Sequence, residues 1–247
     1  MLGLPDGVRA CLFDLDGVLT RTATVHAAAW KEMFDEFLLR RAEQRGEPFV
    51  PFDSVTDYGP YVDGKPRVAG TRSFLEARGI SLPEGAPSDP PEAVTVHGLS
   101  NRKNELVLRR LSQGRIKVFD GSVRYVRAAR DAGLRTAVVS ASANTVQVLE
   151  AAGIADLFEA RIDGLVAAQR GLAGKPAPDT FLAAAAALDA RPGQAAVFED
   201  ALAGVQAGRA GGFALVVGVD RAGQAAALRE RGADVVVHDL AELLEPA

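Results

Sequence analysis

Arg9-Ala-Cys-Leu-Phe-Asp-Leu-Asp-Gly-Val-Leu-Thr20 opens on an apolar run and breaks into two aspartates and a glycine. The first half reads as a short buried strand and the second as a polar turn at its carboxyl end. Similar runs recur at Arg135–Val139, Ala195–Phe198, Phe213–Val217 and Asp234–Val237. Helix-like stretches lie between them, at Ser122–Ala132, Thr145–Ala152, Pro178–Leu188 and Ala201–Ala210, with Gly133, Gly153 and Gly211 placed as stops. Continuous apolar strands alternating with helices predict an α/β domain whose parallel sheet is covered by helices on both faces.

The stretch from Arg21 to Lys117 is of another kind. It carries helical patterns at Thr24–Arg45, Arg72–Arg78 and Arg102–Ser112, separated by proline-rich segments. No strand pattern of the first type interrupts them. The expectation is therefore a core domain of residues 1–20 and 118–247 with an inserted α-helical cap domain of residues 21–117. Within the cap, Ser81–Val94 reads as a surface loop.

Composition narrows the function classes. With 28 basic and 32 acidic residues the 247-residue chain carries a formal charge of −4, so no global basic field invites nucleic acid. No apolar run has the length of a membrane span or of a signal peptide, and a soluble, cytoplasmic, monomeric protein is expected. The single cysteine, Cys11, excludes an intramolecular disulfide and a cysteine-based zinc site.

In open parallel sheets, ligands bind beyond the carboxyl ends of the strands. The polar residues expected there are Asp14 with Asp16, Ser140 with Ser142, Lys175, and Glu199 with Asp200. Each has a structural explanation on its own: Asp-x-Asp-Gly is a common turn, the serines and Asp200 are helix caps, and Lys175 is a loop lysine. Together they form one chemical set. A carboxylate nucleophile repels a phosphate ester unless a divalent cation neutralises the pair, and Mg²⁺ favours oxygen ligands such as Asp14, Asp16 and Asp200. Lys175 would balance the remaining charge, and Ser140 with the N–H groups after it would hold phosphate oxygens.

Asp14-Leu-Asp-Gly-Val, Val138-Val-Ser-Ala-Ser142, Gly174-Lys-Pro-Ala-Pro-Asp179 and Phe198-Glu-Asp-Ala-Leu-Ala-Gly204 resemble, in order, the four motifs of the haloacid dehalogenase superfamily. The resemblance implies a Rossmann-like core with a helical cap and a phosphoryl-transfer enzyme. It implies that Asp14 forms an aspartyl-phosphate and that Asp16 is the general acid/base. It places Mg²⁺ on the Asp14 side chain, the Asp16 carbonyl and Asp200, with Glu199 assisting. Ser140, Ala141 and Lys175 would bind the transferring phosphoryl group.

Thr22-Ala-Thr-Val-His26-Ala-Ala-Ala-Trp30 resembles the β-phosphoglucomutase branch, as do Gly64-Lys-Pro-Arg67 and Arg102-Lys-Asn104. Thr22, His26 and Trp30 recur every fourth residue and share a helix face, although a core stripe would look the same. The branch resemblance assigns Thr22, His26, Trp30, Arg67, Lys103 and Ser142 to substrate binding, with Arg67 on the distal phosphate of a bisphosphorylated sugar. The implied reaction interconverts β-D-glucose 1-phosphate and glucose 6-phosphate through β-glucose 1,6-bisphosphate. A sugar-phosphate phosphatase on the same core is the rival, and a non-catalytic sugar-phosphate sensor a more distant one. Arg21, where compact mutases often have an acid, and extra residues around Arg40–Asp57 and Ser81–Val94 depart from the branch pattern.

Overall fold

The computed structural model describes residues 2–113 and 116–244. The chain forms two compact units: residues 1–21 with 116–247, and residues 22–115.

The first unit is built on six strands: β1 (Ala10–Phe13), β2 (Arg135–Val139), β3 (Ala160–Ile162), β4 (Ala195–Glu199), β5 (Leu215–Val219) and β6 (Val235–Val237). Their order is β3-β2-β1-β4-β5-β6 and every pairing is parallel. The run Ala10–Phe13 is apolar throughout because both its faces are covered. Ala10 and Leu12 join a cluster with Phe181, Ala184 and Val197. On the other face Phe13 stacks on Phe198 with centroids 4.5 Å apart and meets the edge of Tyr125. Helices α4 (Asp120–Asp131), α5 (Thr145–Ala152), α6 (Gly164–Arg170), α7 (Asp179–Ala187), α8 (Leu202–Ala210) and α9 (Ala225–Glu230) connect the strands. The chain starts at β1, runs outward through β2 and β3, and returns to β1's other side as β4. This reversal opens a crevice at the carboxyl ends of β1 and β4.

Three elements were not legible in the pattern. β3 is a three-residue edge strand, Ala-Arg-Ile, too short and too polar to show a period. The helices α6 and α9, of seven and six residues, are too brief for an amphipathic stripe. The fourth expected strand is displaced by two residues, to Leu215–Val219, so Asp220 is the residue that follows it.

The second unit contains α1 (Ala23–Arg45), α2 (Arg67–Ala77) and α3 (Val96–Ser112), with a π-helical turn at Tyr58–Val62. Both later helices begin upstream of the expected points. Its core is aromatic: Phe34 lies between Trp30, Phe52 and Phe74, with centroids 4.1–5.3 Å away. Phe52 belongs to the extra segment around Arg40–Asp57. Its N–H donates to Asp35 Oδ1 at 2.8 Å and its carbonyl accepts from Lys31 at 2.9 Å, so this segment is fastened to α1 through one buried ring. Residues 81–95 form no helix or strand.

Candidate active site

β1 and β4 are in register with Phe13 opposite Phe198, which sets Asp14 beside Glu199. The Asp14 N–H donates to the Phe198 carbonyl at 2.9 Å. The Lys175 ammonium donates to Asp14 Oδ1, to Glu199 Oε1 at 2.5 Å and to the Val139 carbonyl at 3.4 Å. Lys175 does not follow a strand, as the sequence reading had it. It reaches the crevice from the loop preceding α7, its ammonium 5.0 Å from the Phe181 ring centroid. Asp14, Lys175 and Glu199 are all buried.

Burial drives the Asp14 carboxyl well above the usual carboxylate range. Lys175 opposes this, while the neighbouring charges of Glu199 and Asp16 reinforce it. Burial would lower the Lys175 ammonium, but Asp14 and Glu199 outweigh it and hold the group above its ordinary value.

Asp14, Glu199 and Asp200 each place a carboxylate oxygen within 4.8 Å of the others. An all-oxygen donor set on buried acids suits a hard cation. The approach of the loops agrees with this. Gly17 adopts φ +92°, and a Cβ there would lie 1.8 Å from Asp200 Oδ2. A Cβ on Gly204 would fall 1.7 Å from Glu199 Oε1. The glycines of both motifs make room for carboxylates, so the residues fit a metal ion.

Asp16 is half-buried, and the Ser140 hydroxyl lies 3.5 Å from its Oδ2. The Ser142 N–H donates to Ser140 Oγ at 3.1 Å, and Ser142 Oγ accepts from the Asn144 N–H at 3.1 Å. Ala141 is pressed by the next loop: a Cβ on Gly164 would come 2.7 Å from its carbonyl. Asp14, Asp16, Ser140, Lys175, Glu199 and Asp200 are thus brought together.

In the second unit, Thr22 is buried at the start of α1 and its carbonyl accepts from the His26 N–H at 3.0 Å. His26 Nδ1 and the Lys103 ammonium are 2.8 Å apart, and that ammonium lies 4.8 Å from the Trp30 ring centroid. Trp30 itself is only 2% exposed and stacked on Phe34. Arg67 donates to Asn104 Oδ1 at 3.3 Å, its Nε is buried without a hydrogen-bond partner, and it meets no carboxylate among the described residues. Burial lowers the guanidinium from its usual value.

Sequence reasoning missed the loop after β5. Asp220 Oδ1 accepts from the N–H groups of Ala222 and Gln224. Arg221 and Gln224 from this loop donate to the carbonyls of Gly17 and Asp200. The rule of looking just beyond each strand would have found Asp220 had the strand been ended at Val219.

A family model of haloacid dehalogenase-like hydrolases matches residues 8–212. A protein of Mycobacterium tuberculosis described as β-phosphoglucomutase is 58% identical over 99% of this chain and 94% of its own length. One of Bacillus subtilis with the same description is 32% identical, over 96% of this chain and 92% of its own. The crystal structure of β-phosphoglucomutase from Clostridium difficile superposes with a TM-score of 0.74 at 25% identity, covering 96% of this chain and 93% of that one. No helix among the described residues is long and apolar enough to cross a membrane. The chain therefore belongs to the haloacid dehalogenase-like family of phosphoryl-transfer enzymes and, within it, groups with the β-phosphoglucomutases.

Proposed function

We propose that this chain is a Mg²⁺-dependent β-phosphoglucomutase that interconverts β-D-glucose 1-phosphate and glucose 6-phosphate through β-glucose 1,6-bisphosphate. The observation that carries the reading over a phosphatase is the 58% identity spanning 99% of the chain, the second unit included.

Asp14 is the nucleophile. Lys175 holds its Oδ1, which leaves Oδ2 to attack phosphorus; the bond from phosphorus to the sugar oxygen breaks, and the acyl phosphate formed is an aspartyl-phosphate. In the reverse half, a sugar hydroxyl attacks that phosphorus while Asp16 takes the hydroxyl proton, and the bond from phosphorus to Asp14 Oδ2 breaks to free the carboxylate. Asp16 later returns the proton to the departing oxygen, so the proton inventory closes over a full turnover. Ser140, the Ala141 backbone and Lys175 receive the phosphoryl oxygens. Asp14, the Asp16 carbonyl and Asp200 would hold Mg²⁺, with Glu199 fixing Lys175 and the Asp200 turn. When bound, the ion neutralises the repulsion between carboxylate and phosphoryl oxygens.

Residues 1–20 and 118–247 serve as the transfer domain and residues 21–117 as the domain that selects the sugar. There, Arg67 takes the distal phosphate, and Lys103, His26, Thr22 and Ser142 (the last from the core) contribute to substrate binding. Trp30 steadies Lys103 from below. A cytoplasmic, monomeric enzyme completes the reading, and the single buried thiol, Cys11, agrees with a reducing compartment.

The test is ³¹P NMR of β-glucose 1-phosphate with Mg²⁺ and a trace of bisphosphate. Accumulating glucose 6-phosphate is the expected result. Inorganic phosphate without isomerisation would instead establish the phosphatase.

A further inference from the structure

The loop after β5 makes contacts that the transfer chemistry does not use. Arg221 is half-buried. Its Nε donates to the Gly17 carbonyl at 2.9 Å and its Nη1 to the His238 carbonyl at 2.6 Å. Its guanidinium carbon sits 3.5 Å from the Phe119 ring centroid, where Arg21 also stacks at 4.5 Å. Nη1 also forms an ion pair with Asp239 Oδ2 at 3.6 Å, and Nη2 is buried without a hydrogen-bond partner. Its two shortest hydrogen bonds go to main-chain carbonyls rather than to Asp239, so those carbonyls are where to look for its purpose.

Of the carbonyls held by this loop, those of Gly17 and Asp200 lie at the acids proposed to hold the metal, while that of His238 belongs to the segment after β6. The peptide from Asp16 to Gly17 is tied at its N–H, which donates to the Thr20 carbonyl at 2.8 Å. Arg221 ties the next peptide at the Gly17 carbonyl. With both neighbours fixed, the direction of the Asp16 carbonyl is fixed too. The peptide from Asp200 to Ala201 is held at both ends: Gln224 Nε2 donates to its carbonyl at 3.0 Å, and its N–H donates to Glu199 Oε2 at 2.8 Å. Asp220 stiffens the loop that carries both donors. The clearance that this setting must respect is small, because Gly17 packs against the Asp200 carboxylate with no room for a Cβ.

We propose that Arg221 is a positioning residue which, with Gln224, locks the Gly17 and Asp200 turns together so that the Asp16 carbonyl and the Asp200 carboxylate converge on one divalent cation. The inference rests on the reading that this cluster holds Mg²⁺. Groups that orient metal ligands typically govern affinity by roughly ten- to a hundredfold.

The experiment is calorimetric titration of Mg²⁺ into chelator-treated full-length protein, for wild type, Arg221→Ala, Arg221→Lys and Gln224→Ala. Each is paired with a melting curve in chelator and with the Mg²⁺ dependence of turnover. Arg221→Ala is expected to weaken Mg²⁺ binding about tenfold or more. Arg221→Lys, keeping one donor but losing the fork and the ring contact, should fall between. Turnover should recover at high Mg²⁺, and the metal-free melting temperature should not track the loss of affinity. Should Arg221→Ala not fold, Gln224→Ala carries the test, with a smaller loss expected. Unchanged Mg²⁺ affinity in the folded variants, beside a wild type that binds, overturns the positioning role alone. A wild type that binds no Mg²⁺ overturns the metal reading and this inference with it.

Discussion

Lys175, buried in the first unit, and Arg67, half-buried in the second, are cations that keep opposite company. Lys175 is clasped between the Asp14 and Glu199 carboxylates, and its charge is answered within the protein. Arg67 is answered only by the neutral amide of Asn104, with no carboxylate among the described residues and one nitrogen left without a hydrogen bond. In the proposed mechanism the first arrangement makes a lysine that orders the nucleophile. On the same reading the second keeps a guanidinium available to an incoming anion, the role proposed for Arg67.

The contrast breaks most visibly at Asp14. Asp14→Asn should lower mutase turnover by a factor on the order of 10⁴–10⁶, measured by coupled assay. Its metal-free stability should move the other way. Burial raises the Asp14 carboxyl, so the folded protein favours the protonated form and ionisation costs stability. Metal-free wild type should therefore lose stability as pH rises above the ordinary carboxylate range of about 4, and the Asn variant should lack that slope. Denaturant unfolding across pH in chelator reads this. A wild-type curve no steeper than the variant's would contradict it.

Lys175→Met removes the ammonium and leaves Asp14 facing Glu199. Stranding buried charge in this way costs about 3–5 kcal/mol, which urea unfolding at neutral pH should register. The loss should shrink at acidic pH, where the carboxyls take up protons. Arg67→Ala is the smallest change. It should lower turnover with the bisphosphate about tenfold while hydrolysis of a small phosphate ester by the core, and the melting temperature, stay near wild type. Equal losses on both substrates would erase the distinction between the two cations.

The first unit was the more readable because its chemistry follows its topology. Strands buried on both faces announce themselves as apolar runs, and their ends carry the acids, so Asp14, Asp16, Glu199 and Asp200 could be marked in sequence. Lys175 was found as a residue but assigned to the wrong kind of place, since a side chain reaching in from a loop leaves no periodic trace. Arg221 and Gln224 were invisible for a related reason. Their partners are backbone carbonyls far away in sequence, and a main-chain acceptor has no residue type to betray it. In the second unit, Trp30 could be read as either core or ligand, because helical spacing cannot say which way a stripe faces. It lies in the core, and the ammonium of Lys103 rests on it.

The tight internal pairing of Lys175 also bears on the sequence in which visitors enter. Around Asp14, the carboxyl groups of Glu199 and Asp200 gather within 4.8 Å and Asp16 lies on the same turn, with the single ammonium of Lys175 between them, so a phosphorylated sugar arriving early would meet acidic groups. On the proposed reading, the dication is expected to load before the ester, and raising the ester concentration is not expected to replace the ion.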